Sequence, residues 1–227
     1  MVGPSRGIVA LGGSAVFMGI EYLAIFCCGL SGGLSAVKKQ YDLFAILVAA
    51  WMTSLGGGII RDVLLGALPP VGIADKGLVL TTLMSGVVVA VAHPEIEHLR
   101  WSMIITDAMG LGLFAVNGTA KSLAYGMSGM VSVFLGMFTA LAGGLIRDMI
   151  LSEVPAVIRD RHWYAVPSFV GCVLTVFVYR TVSHRAWGLD VEMALDVAVV
   201  VLVVVLRVLS VRFDITLPGA MRRGESV

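Results

Sequence analysis

An arginine and an aspartate that follow a run of glycines occur twice in the sequence, and their types and spacing are suited to chemistry inside a membrane. The first copy, at positions 53–62, is Thr-Ser-Leu-Gly-Gly-Gly-Ile-Ile-Arg-Asp, and the second, at 139–148, is Thr-Ala-Leu-Ala-Gly-Gly-Leu-Ile-Arg-Asp. Seven of the ten positions are identical. Both copies lie within long apolar segments, where an ionisable side chain is costly and usually serves a function. The repeated motif therefore predicts a polar path through a bilayer.

The glycines of the two copies allow two local structures. Each glycine costs a helix about 1 kcal/mol relative to alanine, which favours unwinding of the helix. An unwound segment exposes carbonyl groups that favour cations and amide groups that favour anions, and it needs protein or water beside it. The alternative is that the glycines let two backbones approach closely. We expect twin broken helices that line one path, with five glycines along it: Gly56, Gly57, Gly58, Gly143 and Gly144.

The charged residues of the motif predict either a gate in this path or a structural lock between two crossing helices. Arg61 precedes Asp62 and Arg147 precedes Asp148, and consecutive residues lie about 100° apart around a helix. Each arginine is therefore expected to pair with a group other than its neighbour. The candidate partners in apolar segments are Asp62, Asp148, Glu21 and Asp107, whereas Lys121 is expected at the membrane interface.

Four uncharged polar side chains lie in the same apolar segments and have two interpretations. Their oxygen atoms either line the path or form hydrogen bonds between neighbouring helices, which is a common use of such residues in membranes. The sequence leaves both interpretations open for Ser31, Thr53, Asn117 and Thr139.

Membrane-spanning helices are the elements that must position these residues. The chain has 227 residues, of which 58% are hydrophobic and only 14% are charged, and its mean hydropathy is +0.96. A soluble domain carries roughly a quarter charged residues, so we predict an all-α integral membrane protein in a lipid bilayer. Apolar runs of about twenty residues predict seven transmembrane helices, at 17–37, 43–65, 78–92, 101–123, 127–151, 164–179 and 191–209.

The sequence lacks the residue patterns that several classes of function require. The net charge is only +1 and no basic cluster with interleaved aromatic residues occurs, so no nucleic-acid partner is expected. The sequence lacks a phosphate-binding loop and a nucleophile paired with a base, which argues against an enzyme. The cysteines and histidines do not have metal-ligand spacing, so neither a metal nor a cofactor is expected.

The two motifs belong to a longer internal repeat. A shift of 86 residues superposes the motifs, and it also places Glu21 on Asp107 and Pro69 on Pro155. Each unit holds three predicted spans, and an odd number of crossings turns the second unit over, which predicts two inverted repeats. The seventh helix lies outside the repeat and is expected to pack peripherally or to brace an oligomer.

This repeat sets the predicted organisation of the chain. A lead at 1–16 precedes the first three-helix repeat at 17–92, and a polar linker at 93–100 precedes the second at 101–182. The seventh helix with its preceding loop follows at 183–211, and a cytoplasmic tail occupies 212–227. Nine basic residues in the loops and near the span ends fall on one side of the predicted membrane and five on the other. By the positive-inside rule this predicts an external N-terminus and a cytoplasmic C-terminus, in a cell inner membrane.

The doubled Gly-Gly-Gly-x-x-Arg-Asp motif resembles that of the prokaryotic trimeric intracellular cation channels and their bacterial relatives, some described as glycine transporters. Further stretches that carry the resemblance are residues 30–34, 38–44, 64–70 and 107–118, and it extends over roughly 17–210. It implies seven helices, a homotrimer, and a pore in each protomer for monovalent cations, chiefly potassium. It also implies that the second and fifth spans kink at their glycines and line that pore. Position 142 is Ala where the motif usually has Gly.

Three functions follow from these observations. The leading one is a passive potassium-permeable channel. The second is a secondary transporter of a small zwitterion such as glycine, because helix breaks offer amides for a carboxylate and carbonyls for an ammonium group. The third is a non-conducting membrane scaffold.

Overall fold

The computed structural model describes residues 15–92, 96–159, 162–185 and 189–216. Within these ranges the chain folds into nine α-helices and contains no strand, apart from a single bridge between His162 and Thr216. The helices are α1 (Ala15–Lys38), α2 (Leu43–Leu65), α3 (Val71–Ala74), α4 (Lys76–Ala92), α5 (Ile96–Ala124), α6 (Gly129–Ile150), α7 (Ala156–Arg159), α8 (Ala165–Arg185) and α9 (Leu189–Arg212). The prediction of an all-α membrane protein is confirmed.

Six of these helices are long and apolar enough to cross a membrane: Met18–Lys38, Leu43–Leu65, Trp101–Ala124, Gly129–Ile150, Ala165–Val182 and Met193–Arg212. Helix α4, where a further span was predicted, is apolar but has only 17 residues. At 1.5 Å per residue it is about 26 Å long, slightly less than the thickness of a hydrocarbon core. Its start is fixed by Asp75, whose carboxylate accepts a hydrogen bond of 2.7 Å from the amide of Gly77.

Local capping sets the bounds of the two helices that carry the motifs. Asp42 caps α2 by accepting a hydrogen bond of 2.9 Å from the amide of Ala45, and Ser128 caps α6 in the same way. Gly66 ends α2 with a φ of 70°, a left-handed conformation that glycine adopts without strain. The limits predicted from the apolar runs, 43–65 and 127–151, lie within two residues of the observed ones.

Other helix bounds differ from the prediction. Helix α5 begins at Ile96, inside the range predicted as a polar linker, and α8 continues to Arg185, beyond the predicted end of the sixth span. A helix need not end where its apolar segment ends, because its backbone hydrogen bonds continue into the polar region beyond the hydrocarbon. Most of the predicted N-terminal lead and C-terminal tail, at 1–14 and 217–227, lies outside the described residues.

The packing buries polar groups in the interior and leaves large apolar side chains on the outside. Helix α1 packs against α2, α4 and α5, while α6 packs against α2, α5 and α8. Helix α9 packs against α5 and α8. Exposed apolar residues such as Leu64, Phe134 and Phe177 occur on the outer faces, as expected for a surface in contact with lipid. This arrangement places both motifs at the centre, where α2 meets α6.

Candidate functional site

Both motifs lie on continuous helices. Helix α2 passes through Gly56, Gly57 and Gly58 without interruption, and α6 passes through Gly143 and Gly144 in the same way. The expectation that the helices unwind at the glycines is therefore wrong. An unwound segment would leave backbone amides and carbonyls without partners in a region that water does not freely reach, and the helix satisfies them internally.

The glycines instead allow α2 and α6 to touch through their backbones. A Cβ atom on Gly57 would collide with the carbonyl oxygen of Thr139, and one on Gly143 would collide with the carbonyl oxygen of Thr53. The contact is therefore reciprocal, and each motif supplies both the glycine and the carbonyl. Close approach, the second alternative for the glycines, is what the structure shows.

The remaining glycines of the motifs have different surroundings. A Cβ atom on Gly56 would lie 2.6 Å from the side-chain end of Ile146, and one on Gly144 would lie 2.7 Å from the hydroxyl of Tyr164. A Cβ atom on Gly58 would find its nearest neighbour, Nη2 of Arg61, at 3.8 Å. Gly58 therefore has room for a side chain, whereas Gly57 has none.

The two motif threonines are buried at this contact, and each donates its hydroxyl hydrogen bond to a carbonyl of its own helix. Thr53 Oγ1 donates to the carbonyl of Ala49 at 2.6 Å, and Thr139 Oγ1 donates to the carbonyl of Leu135 at 2.6 Å. Each hydroxyl bonds the carbonyl four residues earlier, as is common for threonine in a helix. The hydroxyl oxygen keeps an acceptor position, since a hydroxyl has two lone pairs.

Each arginine pairs with the aspartate that follows it, contrary to the expectation from helical spacing. Nε of Arg61 lies 2.8 Å from Oδ1 of Asp62, and Nε of Arg147 lies 2.8 Å from Oδ1 of Asp148. The arginine side chain is long enough to bend back around the helix, which the angle between Cβ atoms does not capture.

The second carboxylate oxygen of each motif aspartate accepts a hydrogen bond from the segment that follows the motif. Oδ2 of Asp62 accepts a hydrogen bond of 3.1 Å from the amide of Val71, and Oδ2 of Asp148 accepts one of 2.7 Å from the amide of Ala156. These amides begin the short helices α3 and α7, directly after Pro70 and Pro155. A carboxylate is stabilised there because the first amides of a helix have no partner within it.

The second motif forms a closed network with two further helices. Nη1 of Arg147 donates to Oδ1 of Asp107 on α5 and to the hydroxyl of Ser31 on α1, both at 2.7 Å. Arg147 is only 5% exposed, and pairing is what makes a buried guanidinium tolerable. Asp107, which was a candidate partner, and Ser31, which was a candidate path residue, therefore meet at one arginine.

The first motif does not form a corresponding closed network of hydrogen bonds. Nη2 of Arg61 lies 3.9 Å from Oε1 of Glu21, a longer contact than that between Arg147 and Asp107. The shift of 86 residues pairs Ser31 with Asn117, yet both polar atoms of the buried Asn117 side chain lack a hydrogen-bond partner within the described part of the chain. Nη1 of Arg61 is unpaired there as well. Unpaired buried polar atoms are expensive, and they are typical of sites that hold water or a solute.

Lys121 is a site residue that the sequence did not predict. Its Nζ lies 2.8 Å from Oδ1 of Asp62, and its side chain is 12% exposed, so it is paired inside the protein, while its depth in the membrane stays a prediction. The repeat gives no signal for it, because the shift of 86 residues places it on Ser35. The only sequence signal is a cation in an apolar segment that needs a carboxylate. The buried site thus holds three cations and four carboxylates: Arg61, Lys121 and Arg147 with Glu21, Asp62, Asp107 and Asp148.

A cavity of about 310 Å³ opens beside the second motif and reaches Asp107 and Arg147. Arg207 of α9 lines it, with its guanidinium carbon 4.5 Å from the ring centroid of Tyr164 and Nη1 donating to the carbonyl of Trp163 at 3.1 Å. The last long helix therefore contributes a side chain to the cavity, while it packs mainly against α5 and α8, and its peripheral position stays a prediction. Arg207 lies near the end of the predicted span at 191–209, and its sequence position gives no signal of a role in the site.

The fold and the site define an integral membrane protein whose interior carries a paired network of charges beside an open cavity. The family model described as a glycine transporter matches residues 18–94 and 104–180, and the chain belongs to this family. The two matched ranges have equal length and are displaced by 86 residues, the same shift that superposes the motifs.

Relatives of this chain are bacterial membrane proteins. A UPF0126 membrane protein of Deinococcus radiodurans is 31% identical over 188 residues, which cover 74% of this chain and 87% of that protein. The inner membrane protein YadS of Escherichia coli is 28% identical over 83% of this chain and 88% of its own length.

Solved structures with the same fold are TRIC cation channels. A chain from a study of conductance through TRIC cation channels is 31% identical, has a TM-score of 0.74 and is matched over 92% of this chain and 99% of its own. The TRIC orthologue of Rhodobacter sphaeroides has a TM-score of 0.78 at 24% identity, over 89% of this chain and 100% of its own, which is a likeness of fold. The resemblance to these channels and to their UPF0126 relatives is confirmed.

Proposed function

We propose that the chain is a potassium-permeable cation channel with a pore in each protomer. The observation that carries this proposal is the cavity that reaches the buried Asp107–Arg147 pair, in a fold shared with a TRIC cation channel at 31% identity. With Arg207 included, the buried site holds four cations and four carboxylates, so its fixed charge is balanced and the proposal rests on the cavity and the shared fold.

In this proposal the path runs along the contact between α2 and α6. Gly57 and Gly143 hold the two helices in contact. The proposed path passes beside that contact, along Gly56, Gly58 and Gly144 and the oxygen atoms of Ser31, Thr53, Asn117 and Thr139. Asn117 supports the proposal most directly, because its side-chain oxygen is buried without a partner among the described residues. A bend of the helices at the glycines belongs to the same proposal and requires no break in either helix.

The proposed architecture has seven spans, with α4 as the third, arranged as two inverted repeats and a seventh helix. The paired matches of the family model and the reciprocal contact of Gly57 and Gly143 support the repeat. We also propose a homotrimer in the cell inner membrane, with the N-terminus outside and the C-terminus in the cytoplasm. The TRIC orthologue of Rhodobacter sphaeroides is described as trimeric, and YadS as an inner membrane protein.

A second candidate is a secondary transporter of glycine. The matching family model is described as a glycine transporter, and the buried site offers guanidinium groups for a carboxylate and carboxylates for an ammonium group. Such a transporter needs binding that saturates, whereas a channel passes ions in proportion to the driving force.

Two measurements on one purified preparation separate these functions. We expect single-channel current in potassium chloride across a planar bilayer, and no saturable uptake of labelled glycine into liposomes. Glycine uptake that saturates and is driven by an ion gradient, without unitary current, would establish the transporter instead. If protein shown to be folded and oligomeric is active in neither assay, the result would favour the non-conducting membrane scaffold.

A further inference from the structure

The last glycine of each motif has different surroundings in the two halves of the molecule. Gly58 is partly exposed, and a Cβ atom on it would meet nothing closer than 3.8 Å. The shift of 86 residues places Gly58 on Gly144, which is buried. A Cβ atom on Gly144 would lie 2.7 Å from the hydroxyl of Tyr164. The space beside this glycine is therefore open in the first motif and filled by a tyrosine in the second.

Tyr164 reaches from the cavity of about 310 Å³ towards the middle of α6. Its side chain lines the cavity together with Arg147, which lies three residues before the end of α6. Its hydroxyl lies at Gly144, about one helical turn further from that end. The Cβ position of Gly144 is also 3.9 Å from Oδ1 of Asp107. The tyrosine therefore stands at the inner end of the cavity, beside the Asp107–Arg147 pair.

The end of α9 holds this tyrosine in place. The guanidinium carbon of Arg207 lies 4.5 Å from the ring centroid of Tyr164. The carbonyl of the preceding residue, Trp163, accepts hydrogen bonds from Nη1 of Arg207 at 3.1 Å and from the hydroxyl of Ser210 at 3.2 Å. A cation over an aromatic ring is a favourable but modest contact. The ring therefore has a preferred position that it is able to leave.

The first half of the molecule has no equivalent of this side chain. The shift of 86 residues places Tyr164 on Leu78, which carries no hydroxyl. Arg207, which contacts the ring, lies beyond the repeat altogether. The closure at Gly144 is thus a specific property of one end of the molecule.

We propose that Tyr164 is a gate: it closes the inner end of the cavity at Gly144, and movement of its ring opens the cavity towards the space beside Gly58. This inference rests on the proposed function and deepens it, because it names the residue that regulates the path. Movement of one side chain breaks no backbone hydrogen bond of α6, and such a break would be costly in a membrane.

A native cysteine can report whether the cavity is closed. Cys28 is buried on α1, ten residues before the cavity-lining Lys38, which is about 15 Å along the helix. A Cβ atom on Gly110 would collide with its sulfur, and Gly110 lies three residues beyond the cavity-lining Asp107 on α5. Cys28 is therefore deeper than the cavity, and a water-soluble reagent in the cavity must pass its inner end to reach the thiol.

The gate is tested on the purified full-length protein by the rate at which 2-aminoethyl methanethiosulfonate labels Cys28. The chain has three cysteines, so Cys27→Ser and Cys172→Ser leave Cys28 as the only thiol. On this background Tyr164→Ala is expected to raise the labelling rate at least about tenfold, because the thiol no longer depends on a rare opening. Tyr164→Phe keeps the ring and removes only the hydroxyl, so it should fold as the unchanged protein does and give a smaller increase.

Two controls separate a gate from a loosened structure. Cys27→Ser and Cys28→Ser leave only Cys172, a buried thiol on α8, the helix that follows Tyr164. This thiol should stay unlabelled in Tyr164→Ala. Phe169→Ala removes an aromatic ring from an exposed position of α8 and should leave the labelling of Cys28 unchanged.

The labelling rates decide the proposal without any measurement of flux. The gate is overturned if Tyr164→Ala and Tyr164→Phe both label Cys28 at the rate of the unchanged protein, or if Cys172 becomes as reactive as Cys28. Single-channel recording adds a second readout, in which Tyr164→Ala should raise the open probability. Faster labelling without current in any variant would count against the channel and keep the tyrosine as the barrier. Current in the unchanged protein with equal labelling in all variants would keep the channel and remove the gate.

Discussion

The ammonium group of Lys121 on α5 lies 2.8 Å from Oδ1 of Asp62 on α2, near the end of both helices. The same oxygen accepts a hydrogen bond of 2.8 Å from Nε of Arg61, which also faces Glu21. Lys121 therefore balances a group of charges in which two carboxylates would otherwise share one guanidinium. Losing one partner of a buried ion pair leaves an uncompensated charge and is far more costly than losing a surface pair.

Lys121→Met is expected to lower the free energy of unfolding by about 3 kcal/mol. Lys121→Arg should retain most of the stability, because it keeps the charge. The measurement is unfolding of the purified protein by denaturing detergent, followed by circular dichroism. Lys76→Met, at an exposed lysine, serves as the control and should change little. Equal stability of Lys121→Met and the unchanged protein would show that the pair is not required for folding.

Two neighbouring glycines should respond differently to the same substitution. Gly57→Ala places a methyl group on the carbonyl of Thr139, and backbone cannot move aside cheaply, so we expect a loss of about 1–3 kcal/mol in unfolding free energy. Gly58→Ala meets nothing closer than 3.8 Å and should gain up to about 1 kcal/mol from helix propensity. Thermal unfolding of the two variants provides the comparison. A similar response at both positions would refute the backbone contact as the reason for glycine.

Substitution of Asn117 tests whether its side chain lines a water-filled path or only contacts neighbouring helices. Asn117→Leu removes two buried polar atoms that lack partners among the described residues, so stability should stay the same or rise by about 1 kcal/mol. If the side chain lines the path, potassium flux into liposomes should fall at least tenfold in the same variant. Ser31→Ala is the companion variant, since Ser31 accepts a hydrogen bond from Arg147 and its loss should cost about 1 kcal/mol. Full flux through Asn117→Leu would remove Asn117 from the proposed path.

The loop after the second motif is predicted to contribute a stability that depends on pH. A hydrogen bond from Lys39, at 2.8 Å, holds the pKa of the Glu153 carboxyl below its usual value. A lowered carboxyl pKa stabilises the folded state above the unfolded value of about 4.3, and this contribution is lost as the pH falls through the lower folded pKa. The unchanged protein should therefore melt above Glu153→Gln at pH 7, and the difference should shrink as the pH falls below the unfolded pKa of about 4.3. Melting curves across this range give the measurement, and a difference that grows in acid would contradict the assignment.

The sequence determined the class of protein, the approximate limits of the spans and the charged residues of the two motifs. Composition alone predicts a membrane protein, because a charged fraction of 14% is too low for a soluble surface. The duplicated motif identifies Arg61, Arg147 and their aspartates, since charges in apolar segments are costly enough to be conspicuous. The lengths of the apolar runs place α2 and α6 within two residues of their observed limits, since a span must cross the hydrocarbon core.

Only the tertiary structure decided how these residues are used. Whether Gly57 breaks a helix or lets two helices touch depends on what stands opposite it, and Thr139 is 82 positions away in the chain. Lys121 and Arg207 entered the site because α5 and α9 pack beside the motifs, a placement that no local pattern encodes. Side-chain reach decided the pairing of each arginine with its own neighbour, which helical angles alone had excluded. The energies that place charges in an apolar interior are set by contacts between distant segments, so they become visible only once the helices are packed.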